Sequence, residues 1–179
     1  QDPRVSVARR TVLVTGASAG IGAALARTYA AHGRDLILTA RRAAPLQALA
    51  DELRTRHGIN ATVLMEDLAD PKAPARLAAA VSAEGLSVDG LVNNAGFSRT
   101  AGFLNTDPAD HAAMLQVMLT APIELARLFA PAMVARGYGR ILNVASLAGQ
   151  MPATGGDTLY GPIKSFLTKA TAGLHLELR

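Results

Sequence analysis

With 179 residues, half of them hydrophobic and 18% charged, the chain can bury one sizeable core, and its composition excludes disorder. It contains no Cys and no Trp, which excludes a disulfide framework, a thiolate metal site and a cysteine nucleophile, and makes a reducing, cytoplasmic compartment the expectation. The formal charge of +4 suits an anionic ligand, but Arg9-Arg10 and Arg41-Arg42 are the only basic pairs, too short to form a nucleic-acid face.

Residues 1–10, QDPRVSVARR, read as a tail without the apolar centre of a signal peptide, and the first residue, Gln1, leads us to expect a trimmed or partial chain. Residues 11–179 read as one domain in which short β-branched runs alternate with helical patterns, the signature of parallel βαβ units. Strands are predicted at Thr11–Thr15, Leu36–Ala40, Thr62–Glu66, Asp89–Asn93 and Arg140–Val144. Helices are predicted at Gly20–Ala31, ending at Gly33; at Pro45–His57, with Leu46, Leu49 and Leu53 on one face; and at Pro74–Ala83. A long helical pattern covers Pro108–Arg136, broken or bent near Pro122 and Pro131. It is apolar all round, which predicts burial against a second subunit as well as its own sheet. A last helix starts near Tyr160. No uninterrupted apolar run reaches the twenty or so residues of a membrane span, and His32, His57, His111 and His175 lack metal-ligand spacing.

The first strand runs straight into TGASAGIG, so Gly16, Gly20 and Gly22 sit between a strand and the helix it feeds. In that setting glycines allow a tight turn, close backbone approach to a pyrophosphate and close helix packing, while the helix N-terminus offers unpaired N–H groups to the phosphates. Tyr160 and Lys164 are four residues apart and share one helix face. A phenol with an ordinary pKa of about 10 is a poor base at neutral pH, so proton exchange at Tyr160 needs a neighbouring cation such as Lys164.

The TGxxxGIG spacing resembles the cofactor motif of the classical short-chain dehydrogenase/reductase family. Three further matches follow in order: Asp67-Leu68 after the third strand, Asn93-Asn94-Ala95-Gly96 after the fourth, and Tyr160-x-x-x-Lys164 after Ser146 at the end of the fifth. The resemblance runs from about Thr11 to the end of the chain. It implies a doubly wound α/β fold with a parallel, Rossmann-type sheet and hydride transfer between a nicotinamide and a carbonyl or secondary alcohol of a small molecule. By the same resemblance Tyr160 would be the general acid or base, Lys164 would also bind the nicotinamide ribose, and Ser146 would hold the substrate oxygen. Gly16, Ser18, Gly20, Ile21, Gly22, Asp67, Leu68, Asn94, Ala95 and Gly96 would line the cofactor, Asp67 at the adenine amino group. As a bare residue, Asp67 equally suits a turn.

Open α/β folds read the adenosine ribose at the end of the second strand. Arg41 and Arg42 stand there instead of an acid, and guanidinium groups favour NADP(H) over NAD(H). The sequence departs from the family pattern at Met118, where an Asn would hold a water in a proton relay. It also ends at Arg179, where the family continues, so a C-terminal part is expected to be missing. The expectation is an NADP(H)-dependent oxidoreductase that forms a homodimer or homotetramer and needs no nucleic acid, membrane or metal. An NADP-binding protein without turnover, or an inactive fragment of a reductase, is the alternative.

Overall fold

A computed structural model describes residues 9–99, 101–152 and 158–178. Five strands form one parallel sheet in the order β3-β2-β1-β4-β5. β1 (Thr11–Thr15) lies at the centre between β2 (Asp35–Thr39) and β4 (Gly90–Asn93), with β3 (Ala61–Val63) and β5 (Arg140–Asn143) at the edges. The chain winds outward from β1 to β3 and then returns to the other side of β1. This reversal leaves a crevice at the carboxyl ends of β1 and β4.

Side-chain alternation sorts the core into two layers. Val12, Val14, Leu36 and Leu38 pack against Ala26 and Ala30 of α1 (Gly20–Ala31) and Leu46 and Leu53 of α2 (Ala43–His57). Leu13, Ile37 and Leu91 face the other way, onto Leu77 of α3 (Ala73–Ala83) and the long helix. The buried alanines of α1, Ala23, Ala26 and Ala30, are the small side chains that this helix turns to the sheet.

Of the two outcomes expected of the long helix, a break does not occur: Pro122 and Pro131 leave it continuous, with a distortion next to Pro122. It continues through α4 (Pro108–Leu115), a π turn (Gln116–Thr120) and α5 (Ala121–Ala135). Pro122 lacks an N–H, and its ring would crowd the carbonyl four residues earlier, that of Met118. The wider turn just before it, in which the Ala121 N–H reaches back to the Gln116 carbonyl, accommodates the ring without ending the helix. Asp107 caps the start by accepting the Ala109 N–H at 2.8 Å. By length and composition Pro108–Ala135 is apolar enough to cross a membrane, with a mean hydropathy of 1.5. Its Met114, Val117, Met118, Leu125 and Phe129 are instead buried in the sheet's own core.

Other boundaries shift slightly. β3 stops at Val63, yet the Leu64 and Glu66 N–H groups still donate to the Leu38 and Ala40 carbonyls, so the extended line continues to Glu66. Two short 3-10 turns, Phe103–Asn105 and Leu147–Gly149, were not anticipated. The last helix, α6, covers Tyr160–Glu177.

Candidate active site

The crevice is a cleft of about 640 Å³ above β1 and β4. Gly16 leaves β1 with φ at 66°, and a β-carbon there would stand 2.8 Å from the Ala95 Cα. Gly22, in the first turn of α1, lies so close beneath it that a β-carbon would come within 2.4 Å of the Gly16 carbonyl oxygen. Both positions therefore require glycine. Ala19 precedes α1 and offers no side-chain cap, so the helix begins without a capping side chain where Ser18, Ala19, Gly20 and Ile21 line the cleft.

Sequence reasoning overlooked Thr15, which ties this turn to β4. Its hydroxyl donates to the Val92 carbonyl at 3.2 Å and accepts the N–H groups of Asn94 and Ala95, each at 3.0 Å. Asn94 returns the tie, its Nδ2 donating to the carbonyls of Thr15 at 3.0 Å and Gly16 at 3.3 Å. Thr15 is buried at the strand end. A hydroxyl residue immediately before the first glycine was the signal available.

Arg41 and Arg42 stand exposed on the cleft wall after β2. Arg42 reaches across to Ser18, donating to its hydroxyl at 3.2 Å and its carbonyl at 3.4 Å. Two predicted site residues far apart in sequence thus meet. Asp67 lines the cleft and also forms its own turn, its carboxylate accepting the Ala69 N–H at 3.1 Å, while Leu68 is buried beside it. Both sequence-based readings of Asp67 are compatible with this placement. Ala95 and Gly96 complete the floor.

At the other end of the cleft, α6 places Tyr160 and Lys164 one turn apart next to Val144 and Ala145. Lys164 is only 5% exposed. Its ammonium donates to the Val144 carbonyl at 2.6 Å and lies 5.6 Å from the centre of the Tyr160 ring. Burial pushes the Lys164 pKa down, because the charged form loses hydration. Ser146 is not in the cleft lining. Its hydroxyl accepts the Ala148 N–H at 3.2 Å and caps the turn Leu147–Gly149. That turn is pressed onto α6, since a β-carbon on Gly149 would lie 2.6 Å from the Ser165 nitrogen. Residues 153–157, between this turn and Tyr160, lie outside the described residues.

Met118 is buried in the π turn beneath the cleft, and the Nε2 of nearby Gln116 is buried without a hydrogen-bond partner among the described residues. No group of three His, Asp or Glu able to hold a metal occurs among the described residues.

The chain is 34% identical over 168 residues to an oxidoreductase, UcpA, of Escherichia coli strain K12, covering 94% of this chain and 63% of that protein. It is 36% identical over 173 residues to the NADP-dependent 3-hydroxy acid dehydrogenase YdfG of Salmonella typhi, covering 93% of this chain and 66% of the relative. The chain thus spans a little under two thirds of these curated relatives. Among solved structures, a short-chain dehydrogenase from Sphingobium yanoikuyae in complex with NADPH superposes with a TM-score of 0.88 at 37% identity, over 94% of this chain and 65% of that one. A metagenomic short-chain oxidoreductase in complex with NADP gives 0.87 at 39% identity, over 95% of this chain and 76% of the other. Residues 10–179 match the short chain dehydrogenase family, and with the glycine turn, the parallel sheet and these relatives in agreement, the chain belongs to that family.

Proposed function

We propose that residues 11–179 form one domain that binds NADP(H) and carries the reacting residues of an oxidoreductase acting on a carbonyl or secondary alcohol. The observation behind this reading is a single cleft with the glycine turn at its base, Arg41 and Arg42 at one end and the Tyr160–Lys164 pair at the other. The fit to a phosphorylated dinucleotide is chemical. Uncapped N–H groups and glycines suit a pyrophosphate, and two exposed guanidinium groups suit a 2′-phosphate. NADP-dependent relatives and NADPH-bound neighbours support the same choice.

The nicotinamide supplies or accepts the hydride. The chain's residues handle the proton and the geometry. The Tyr160 hydroxyl gives its proton to the substrate oxygen in reduction and takes one back in oxidation. Lys164, fixed to Val144, holds a positive charge beside that phenol from a largely dehydrated position, where charge acts more strongly than in water. By the family resemblance Ser146 holds the substrate oxygen, from just outside the cleft lining and next in sequence to the lining residue Ala145. To do so its hydroxyl keeps its own proton to donate while accepting the Ala148 N–H.

Titration of the chain with NADPH and NADH, followed by nicotinamide absorbance over a panel of ketones and aldehydes, tests this reading. NADPH bound more tightly and consumed is the expected result. Binding without consumption favours the second reading, a cofactor-binding protein without turnover, which the apolar Met118 supports. Apolar side chains left exposed on the long helix and α6, Leu115, Leu128 and Phe166, support a homodimer or homotetramer. A cytoplasmic location belongs to the same reading, on the cysteine-free composition.

A further inference from the structure

Glu66 ends the extended line of β3 and lines the same cleft wall as Arg41 and Arg42, with only 15% of its side chain exposed. Its N–H donates to the Ala40 carbonyl at 3.3 Å, so it sits beside the strand end that carries both arginines. A carboxylate there opposes a ligand that carries several phosphate charges. Arg76, on α3, grips both its oxygens, Nε donating to Oε1 at 3.1 Å and Nη2 to Oε2 at 2.7 Å. The third guanidinium nitrogen donates to Asp70 at 2.7 Å. Asp70 is itself fixed, since its other carboxylate oxygen accepts the Lys72 N–H at 2.9 Å. The Lys72 N–H and the Arg76 guanidinium hold the Asp70 carboxyl below its usual pKa, and the Arg76 pKa is raised by its two carboxylates.

We infer that Arg76 is a positioning residue for the anionic cofactor: by occupying both oxygens of Glu66 it cancels one of the two adjacent carboxylates, Glu66 and Asp67, on the cleft wall and so strengthens the positive field of Arg41 and Arg42. This rests on the NADP(H) reading above. Arg76 is not itself part of the cleft lining, so its effect on the ligand passes through Glu66. Removing the guanidinium while keeping the carboxylate releases a negative charge toward the phosphates. In a partly wet cleft that repulsion corresponds to an affinity loss on the order of tenfold. The Debye length of about 8 Å at physiological ionic strength shrinks the loss as salt rises.

The test measures Kd for NADPH and NADH at low and high salt for the wild-type chain, Arg76→Met, Glu66→Gln and the double variant, with an unfolding curve for each. Arg76→Met is expected to weaken NADPH on the order of tenfold at low salt, more than it weakens NADH, with the difference fading at high salt. The double variant is expected to recover most of the loss, and Glu66→Gln alone to bind NADPH more tightly than wild type. Should Arg76→Met fail to fold, Glu66→Gln still decides the matter, since weaker NADPH binding by that variant overturns the inference. A double variant as weak as Arg76→Met also overturns it, by showing that Arg76 braces the loop and does not cancel charge. A wild-type chain that binds neither nucleotide overturns the cofactor reading itself, a different result from any of these.

Discussion

The Met118 sulfur lies against the backbone of Gly96, so closely that a β-carbon on Gly96 would stand 2.9 Å from Sδ. The thioether fills the space below the cleft floor where the family pattern has an amide. A thioether is at best a weak acceptor and cannot hold a relay water as Asn does. Met118→Asn is therefore expected to raise turnover by up to about a hundredfold, the lower end of what one acid–base contribution supplies. NADPH affinity should change little, because the glycine turn and the arginines are elsewhere. A variant no faster than wild type, while Tyr160→Phe abolishes activity, would show that the relay runs through other groups.

Arg41→Ala with Arg42→Ala should weaken NADPH by about 10- to 100-fold, the worth of one or two charge-assisted hydrogen bonds, and leave NADH almost unchanged. Calorimetry or cofactor fluorescence reads this directly, since the protein has no Trp. Equal losses for both nucleotides would place the arginines at the pyrophosphate or in the fold. Arg42 already spans the gap to Ser18, so Ser18→Ala should reproduce a small part of the NADPH effect.

Two glycine-to-alanine changes should have opposite signs. At Gly22 the new methyl group meets the Gly16 carbonyl oxygen at 2.4 Å and the Asn94 Nδ2 at 2.5 Å, backbone and a committed amide that have no room to yield. A loss of about 1–3 kcal/mol in unfolding free energy is expected. Gly173 in α6 has nothing within 4 Å of the same position, and alanine there should stabilise by about 0.5–1 kcal/mol through helix propensity. Urea unfolding of the two variants checks both signs.

Burial of Lys164 makes a pH signature. Its pKa in the fold lies below the ordinary lysine value of 10.5. Between those two values the unfolded chain binds more protons than the folded one, so stability rises with pH across that window. Wild type should therefore gain stability relative to Lys164→Met as the pH approaches 10.5 from below. A difference between the two proteins that stays flat across this range would mean that Lys164 is fully hydrated in the fold.

The long helix and α6 leave Leu115 at 40%, Leu128 at 43% and Phe166 at 39% exposure. Sedimentation at micromolar concentration should show a dimer or larger assembly, and Leu128→Lys should shift it toward monomer. A stable wild-type monomer would remove this part of the proposal.

Much of the fold was legible because short β-branched runs and glycine-stopped helices are local patterns. The run Val12, Leu13 and Val14 already reads as a strand buried on both faces, and Gly16, Gly20 and Gly22 mark the switch from strand to helix. What stayed hidden depends on distant pairings or on backbone geometry. Pro122 signals trouble in a helix, but nothing in its neighbours says that a π turn will absorb it. Thr15 is an ordinary strand residue until β4 brings the Asn94 and Ala95 N–H groups to its hydroxyl. Arg76 and Glu66 sit ten residues apart on a helix and a strand end, at no spacing that a periodicity test detects. Ser146 was identified from its place in a motif, and that carries no information about the backbone N–H its hydroxyl accepts.

The most direct measurement compares wild type with Tyr160→Phe, following nicotinamide absorbance with NADPH and a panel of ketones and aldehydes, and calorimetry for binding. Wild type should consume NADPH faster than NADH, and Tyr160→Phe should bind NADPH as wild type does while losing turnover by a factor of at least about a hundred. If Tyr160→Phe were as fast as wild type, the proton would not pass through that phenol and the assignment of the Tyr160–Lys164 pair would be wrong.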